Sequence, residues 1–315
     1  MIILSGSSHP ALAKDIAQKG SFSLGLVELA RLPNGEARPR ILSDVKGKDV
    51  AIVQTLSDPV DMHIIELLLL IDAARRMKTK TVTVLLPWMG YSLQNKVFRK
   101  GEPLSAEVIA RMIGSSADRV ITLDFHAPEI FTMFGSPTKE VSALPLFAEL
   151  LKREQNILIV GPDRGSAKRA HQLSSMLGVR SICLRKERSL ETGAVHVSSA
   201  NTDVSGSHCV LLDDVIVTGS TLVEASRLLK SSGASKITVC VTHGLFIGDA
   251  LHHLHQLVDR IIVTDSIPPR LVRLRSPQVR SGSSTPRDDL SNLSVEVVTV
   301  AGVFAEALHL TPSPS

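Results

Sequence analysis

The sequence predicts an α/β protein built as two similar units, each with a mostly parallel sheet flanked by helices. Strand-like runs of aliphatic and β-branched residues recur along the chain, and most are continuously apolar, the pattern of parallel strands covered on both faces. Helical periodicity fills the intervals between them. The alternation also occurs twice, once before about Ser142 and again after about Gln155, which sets domains at 1–142 and 143–315 joined through a helix over 143–155.

Met1-Ile2-Ile3-Leu4 reads as a first strand entering a turn at Ser5-Gly6, since a four-residue apolar run without a basic leader fits neither a signal peptide nor an anchor. Strands follow at 50–53, 81–86 and 119–124, and the apolar stretch from Ile64 to Ala74, broken by Glu66 and Asp72, reads as a buried helix too short to cross a bilayer. In the second half, strands are expected at 157–160, 181–184, 209–212, 237–241 and 260–264. Between them, Leu222, Ala225, Leu228 and Leu229 share one helical face, and Gly233 stands where such a helix stops. The segment Pro268 to Leu290 carries Arg270, Arg273, Arg275, Arg280 and Arg287 among Ser, Pro and Gly, and reads as a mobile basic loop, either a solvated linker or an anion-contacting flap.

Composition narrows the function. The 315 residues include 35 basic and 31 acidic side chains, a net charge of +4, and 3% aromatics, too few rings and too balanced a surface for a dedicated nucleic-acid binder. Cys183, Cys209 and Cys240 lie far apart in apolar runs, which implies a reducing, cytoplasmic setting without a disulfide framework. Neither Gly-x-x-x-x-Gly-Lys-Ser/Thr nor Gly-x-Gly-x-x-Gly occurs.

The segment from Cys209 to Thr221 carries the strongest chemical signal. An apolar strand runs into Asp213 and Asp214, and Thr218-Gly219-Ser220-Thr221 then opens a helix. Small residues there let backbone N–H groups and hydroxyls crowd around a phosphate at the positive end of the helix dipole. The acids would repel that phosphate, so they suit sugar hydroxyls, directly or through Mg2+; the plainer alternative is that they cap the helix. His252, His253 and His255 lack a completing Cys or acid and read as helix surface.

This segment resembles the ribose-phosphate loop of the type I phosphoribosyltransferase superfamily. Asn34-Gly35-Glu36, the run from Pro87 to Asn95, Gly101 to Ala106, Asp124-Phe125-His126-Ala127, Pro162 to Ala170 and Thr242 to Phe246 occur in the order of one member, the ribose-phosphate pyrophosphokinase family. The resemblance covers roughly residues 1–268 and 294–310, and several ordered motifs are far more specific than any one of them. It implies two tandem phosphoribosyltransferase-like domains, the first on the ATP side and the second holding ribose 5-phosphate. It also implies transfer of the diphosphoryl group of ATP to the 1-hydroxyl of ribose 5-phosphate, giving 5-phosphoribosyl 1-diphosphate and AMP, in homo-oligomers built from dimers, commonly hexamers.

Carried over residue by residue, the resemblance puts Asn34, Glu36, Gln94 and His126 at ATP, with Asn34 and Glu36 on a loop reaching the adenine from a neighbouring subunit. Asp213, Asp214, Thr218, Gly219, Ser220 and Thr221 fall at ribose 5-phosphate, and His126 and Asp163 at Mg2+. Lys186 and Arg188 read by composition as a solvated charged turn. The resemblance places them instead on a mobile loop that closes over the transferring group, where two cations stabilise developing charge. His243 matches a position near the effector and sugar-phosphate region. Leu93 stands where the family has Arg, Leu32 where it has Phe, Val217 where it has an acidic or polar residue, and Ser220 where it has Gly. Leu93, Leu32 and Val217 motivate an alternative, a non-catalytic member that regulates an active homologue; a nucleobase phosphoribosyltransferase is a third reading, which would not need the N-terminal unit.

Overall fold

The computed structural model describes residues 1–188, 195–198, 203–268 and 293–310. The segment expected to form a basic loop lies, beyond Pro268, outside the described residues.

The chain divides into two units at Ser142/Ala143. In the first, the order is β1 (Ile2–Ser5), α1 (Pro10–Lys19), β2 (Ser23–Leu24), β3 (Val27–Arg31), β4 (Ala37–Ile41), β5 (Asp49–Val53), α2 (Val60–Arg76), β6 (Thr81–Leu86), α3 (Ser105–Ser116), β7 (Arg119–Leu123), α4 (Ile130–Met133) and β8 (Thr138–Val141). The main sheet runs β2-β1-β5-β6-β7-β8 with every neighbouring pair parallel. All six residues of β6 are buried, as a central strand covered on both faces requires. On α2, Ile64, Leu67, Leu70, Ile71 and Ala74 form the inward stripe. At the start of α1, His9 Nδ1 accepts from Leu12 N at 3.2 Å and Pro10 takes the first helical position, where its missing N–H costs nothing.

The second unit begins with α5 (Leu144–Leu151) and continues through β9 (Ile157–Gly161), α6 (Ala167–Leu177), β10 (Arg180–Cys183), β11 (Arg185–Arg188), β12 (Val195–Ser198), β13 (His208–Ile216), α7 (Ser220–Ser231), β14 (Lys236–Gly244), α8 (Ala250–His255), β15 (Arg260–Thr264) and β16 (Ser294–Val298). Its parallel sheet runs β10-β9-β13-β14-β15-β16. Taken in chain order within each unit, both main sheets read 2-1-3-4-5-6, and both carry an antiparallel hairpin, β3/β4 or β11/β12, between the second and third strands. The repeat expected from sequence is therefore a repeat of topology, hairpin included. Each sheet has its own core, around Leu4, Ile52 and Val84 in the first and Leu158, Leu211 and Val239 in the second.

At the start of the second sheet's strands, Glu154 receives Lys236 Nζ and Arg260 Nη1, each at 3.2 Å. Burial pushes its carboxyl up, but the Lys236 hydrogen bond and the charges of Lys236, His208 and Arg260 outweigh that and hold it below its ordinary value. Cys209 and Cys240 are buried and all three cysteines are free thiols.

Three sequence expectations are revised. The helix expected over 143–155 is shorter, Leu144–Leu151. Lys186 and Arg188 do not sit in a turn: they lie on β11, paired with Val197 and Val195 of β12. The second unit does not run to the C-terminus. Residues 266–268 and 299–310 return to the first unit, where α9 (Ala301–His309) packs on α1. His309 stacks on Phe22 with ring centroids 4.7 Å apart, and Phe304, Ala305 and Leu308 are buried. An amphipathic helix joins whichever unit covers its apolar stripe, irrespective of chain order.

Candidate active site

β13 extends for nine residues and carries both acids of the strongest motif before the chain turns at Val217-Thr218-Gly219 into α7. Gly219 has φ of +76°, a left-handed conformation that a side chain would strain, so the turn requires glycine there. Val223 N donates to Gly219 O at 2.9 Å, fixing the first turn of α7, and no side chain among the described residues caps this helix. The result is a cradle of about 170 Å³ lined by Asp213 and by every residue from Val215 to Leu222. It lies where the sheet order reverses between β9 and β13, at the carboxyl ends of the strands, the place where open parallel sheets hold their ligands.

The two acids of the pair part company. Asp213 lines the cradle, and its Oδ1 accepts from Asp214 N at 3.0 Å. Asp214 is buried and is not among the lining residues; its Oδ1 lies 3.8 Å from Arg169 Nη1 on α6. Burial raises the Asp213 carboxyl well above its ordinary value, and the charges of Asp214 and Asp163 push it further the same way. Asp163, in the turn after β9, is therefore close enough to share the field of the pair. That turn is closed on itself: Ser166 N donates to Asp163 Oδ1 at 3.1 Å, Asp163 N donates to Ser166 Oγ at 3.2 Å, and Cys183 Sγ donates to Asp163 O at 2.9 Å.

The cradle thus assembles Asp213, Thr218, Gly219, Ser220 and Thr221, with Asp163 nearby and Asp214 behind. Lys186 and Arg188 belong to the same unit, two residues apart on β11. Asn34, Glu36, Gln94 and His126 belong to the first unit. Asn34 and Glu36 are exposed at the tip of the β3/β4 hairpin, where Asn34 Oδ1 accepts from Glu36 N at 3.2 Å and Arg31 Nη1 donates to Gly35 O at 2.7 Å. Gln94 anchors its loop to the start of α3: Ser105 Oγ donates to its side-chain oxygen, and Ala106 N donates to its backbone oxygen at 3.2 Å. His126 is exposed just beyond β7, after Asp124, whose φ is +37°. His252 and His253 are exposed on α8, as a helix surface. Sequence reasoning gave Arg169 no role. A lone arginine early in a helix carries no local mark of the acid it meets from another strand.

Among the described residues, no group of three or more His, Cys, Asp or Glu side chains gathers as a metal cage. This donor set still fits Mg2+, a hard cation that keeps several waters and takes one or two carboxylates, with substrate phosphates completing its shell. Burial first, and then the charges of Asp214 and Asp163, raise Asp213, and it is that second, electrostatic part that such an ion offsets.

Residues 1–116 match the family described as the N-terminal domain of ribose phosphate pyrophosphokinase, and residues 145–256 match the phosphoribosyl transferase domain. A ribose-phosphate pyrophosphokinase of Agrobacterium fabrum is 34% identical over 316 residues, covering 99% of this chain and 96% of that protein. The chain belongs to the ribose-phosphate pyrophosphokinase family. A family relative from Thermotoga maritima is likewise 34% identical, over 85% of this chain and 87% of its own. The crystal structure of a phosphoribosylpyrophosphate synthetase from Mycobacterium smegmatis superposes with a TM-score of 0.83 at 27% identity, covering 98% of this chain and 97% of that one. The chain is an enzyme of this class with the tandem α/β fold of the family, and the non-catalytic alternative is not favoured. Among the described residues, no helix is long and apolar enough to cross a membrane.

Proposed function

We propose that the chain transfers the diphosphoryl group of ATP to the 1-hydroxyl of ribose 5-phosphate, with the cradle after β13 as the sugar-phosphate site. The observation that carries this is a glycine-containing turn opening a helix, lining a cavity of about 170 Å³ with Asp213 on its strand side, at a sheet reversal. Thr218, Gly219, Ser220 and Thr221 hold the 5-phosphate through backbone N–H groups and hydroxyls. Asp213 accepts hydrogen bonds from ribose hydroxyls, and Asp214, braced by Arg169, supports it from behind.

The reaction joins O1 of the sugar to the β-phosphorus of ATP, breaks the bond from that phosphorus to the oxygen it shares with the α-phosphate, and releases AMP with loss of the O1 proton. Alignment and neutralised charge supply most of the acceleration in such transfers. Lys186 and Arg188 stabilise the charge on the transferring group, while Asn34, Glu36, Gln94 and His126 serve the nucleotide. His126 and Asp163 would each contribute to a separate Mg2+ site, His126 at the nucleotide end and Asp163 at the pentose end, where a bound ion would neutralise phosphate charge. The working form is a dimer-based homo-oligomer, up to a hexamer, in the cytoplasm.

Purified protein with ribose 5-phosphate, MgATP and phosphate is expected to release AMP. Failure to release AMP at any Mg2+ or phosphate concentration would overturn the reading, and AMP formed only after a homologous partner is added would favour a regulatory subunit.

A further inference from the structure

The first unit has a sheet reversal of its own, between β1 and β5, equivalent to the one that carries the cradle. Its crevice is filled from within. Ser7 N, in the loop after β1, donates to Glu66 Oε1 at 2.6 Å, and Gln54 Nε2 donates to the same oxygen at 2.9 Å. Gln54 Oε1 in turn accepts from Ser8 N at 3.2 Å and Ser8 Oγ at 2.6 Å. Gln54 is 0% exposed and Glu66 4%.

Glu66 comes from α2, the helix that follows the third strand of its sheet, as α7 does in the second unit. It is the seventh residue of α2, and the seventh residue of α7 is Ser226. Ser226 is fully buried, and its Oγ finds no hydrogen-bond partner among the described residues. Where one repeat has a side chain long enough to carry a carboxylate into the loop after its first strand, the other has one that stops at the helix. A carboxylate that accepts from a loop amide in a ligand crevice makes the contacts of a bound anion.

We propose that Glu66 is a built-in occupant of an anion crevice in the first unit: its carboxylate takes the donors that a small carboxylate or phosphate ligand would otherwise take. The two repeats then share one ligand-binding architecture, kept open in the second and closed by its own side chain in the first. This inference stands apart from how the cradle after β13 is used, because every contact in it lies within the first unit.

The test is chemical rescue of the full chain carrying Glu66→Ala. Its thermal midpoint is expected to fall by roughly 5 °C in chloride buffer. Sodium formate at about 0.1 M, at matched ionic strength, is expected to restore at least half of that loss by occupying the vacated donors. Formamide, a neutral molecule of the same shape, is expected to restore little, and neither additive should move the wild type. Equal shifts in wild type and variant, or equal rescue by formamide, would overturn the proposal. If the variant is recovered only as aggregate, refolding from urea is the readout: recovery that depends on formate supports the proposal, and failure with and without formate overturns it.

Discussion

Arg169 and Asp214 face each other across 3.8 Å, with side chains 19% and 11% exposed, at the back of a cradle that Asp213 enters and Asp214 does not. Adjacent acids on one strand point to opposite faces, so one reaches the ligand side while the other meets α6. Arg169→Met leaves a buried carboxylate without its cation and is expected to cost up to about 3 kcal/mol of stability. It should also raise the KM for ribose 5-phosphate more than that for ATP, with Arg169→Lys intermediate. A double-mutant cycle with Asp214→Asn checks the pair directly: a coupling energy near zero would show that the two side chains act independently.

Asp213 gives the cradle a pH signature. Its carboxyl is raised by burial first, then by the charges of Asp214 and Asp163, so the folded chain holds this proton more tightly than the unfolded chain does. The stability it contributes is complete below the unfolded value of about 3.9 and is lost as pH rises through the raised folded value. Asp213→Asn carries no charge to desolvate. Without added Mg2+ it should match the wild type near pH 4 and exceed it increasingly towards pH 8, while losing turnover. Urea midpoints across that range measure the difference, and a gap that does not change with pH would contradict the assignment.

Lys186 lies on β11, in the second unit, with the cradle. If it meets charge that develops only during transfer, Lys186→Ala should cut kcat by about 100-fold or more and leave the KM for ATP nearly unchanged. Steady-state rates of AMP release at saturating ATP decide this. A variant with a near-normal rate would remove Lys186 from the mechanism.

Gly114, in the middle of the first unit's packing, sits so close to the chain after α4 that an added Cβ would lie 1.9 Å from Phe134 O. Backbone cannot yield there as a flexible side chain would. Gly114→Ala is expected to lower stability by about 3 kcal/mol, read as a fall in the urea midpoint. A midpoint within error of the wild type would mean that α3 and α4 are free to separate.

Much of the fold is legible in the chain. Continuous apolar runs such as Thr81–Leu86 declare buried parallel strands, and Thr218-Gly219-Ser220-Thr221 after two acids declares a phosphate turn, because strand burial and turn chemistry are written in neighbouring residues. The hairpins β3/β4 and β11/β12 were less legible: Ala37–Ile41 is Ala-Arg-Pro-Arg-Ile and Arg185–Arg188 is entirely charged, so neither shows the apolar content that marks a strand. Each is held by pairing with the neighbouring strand of its own hairpin, Arg31 with Ala37 and Arg188 with Val195, which needs none of the apolar content that marks a core strand.

By itself the sequence determined the alternating α/β class, the repeat near Ser142, the cradle's composition and the family, since each depends on residue order over short spans. Only the tertiary structure decided that Asp213 and Asp214 have different surroundings, that Glu66 fills the first unit's crevice, and that α9 closes the first unit instead of ending the second. Those outcomes turn on contacts between residues tens to hundreds of positions apart. Burial and hydrogen-bond satisfaction select them, and no spacing along the chain records them.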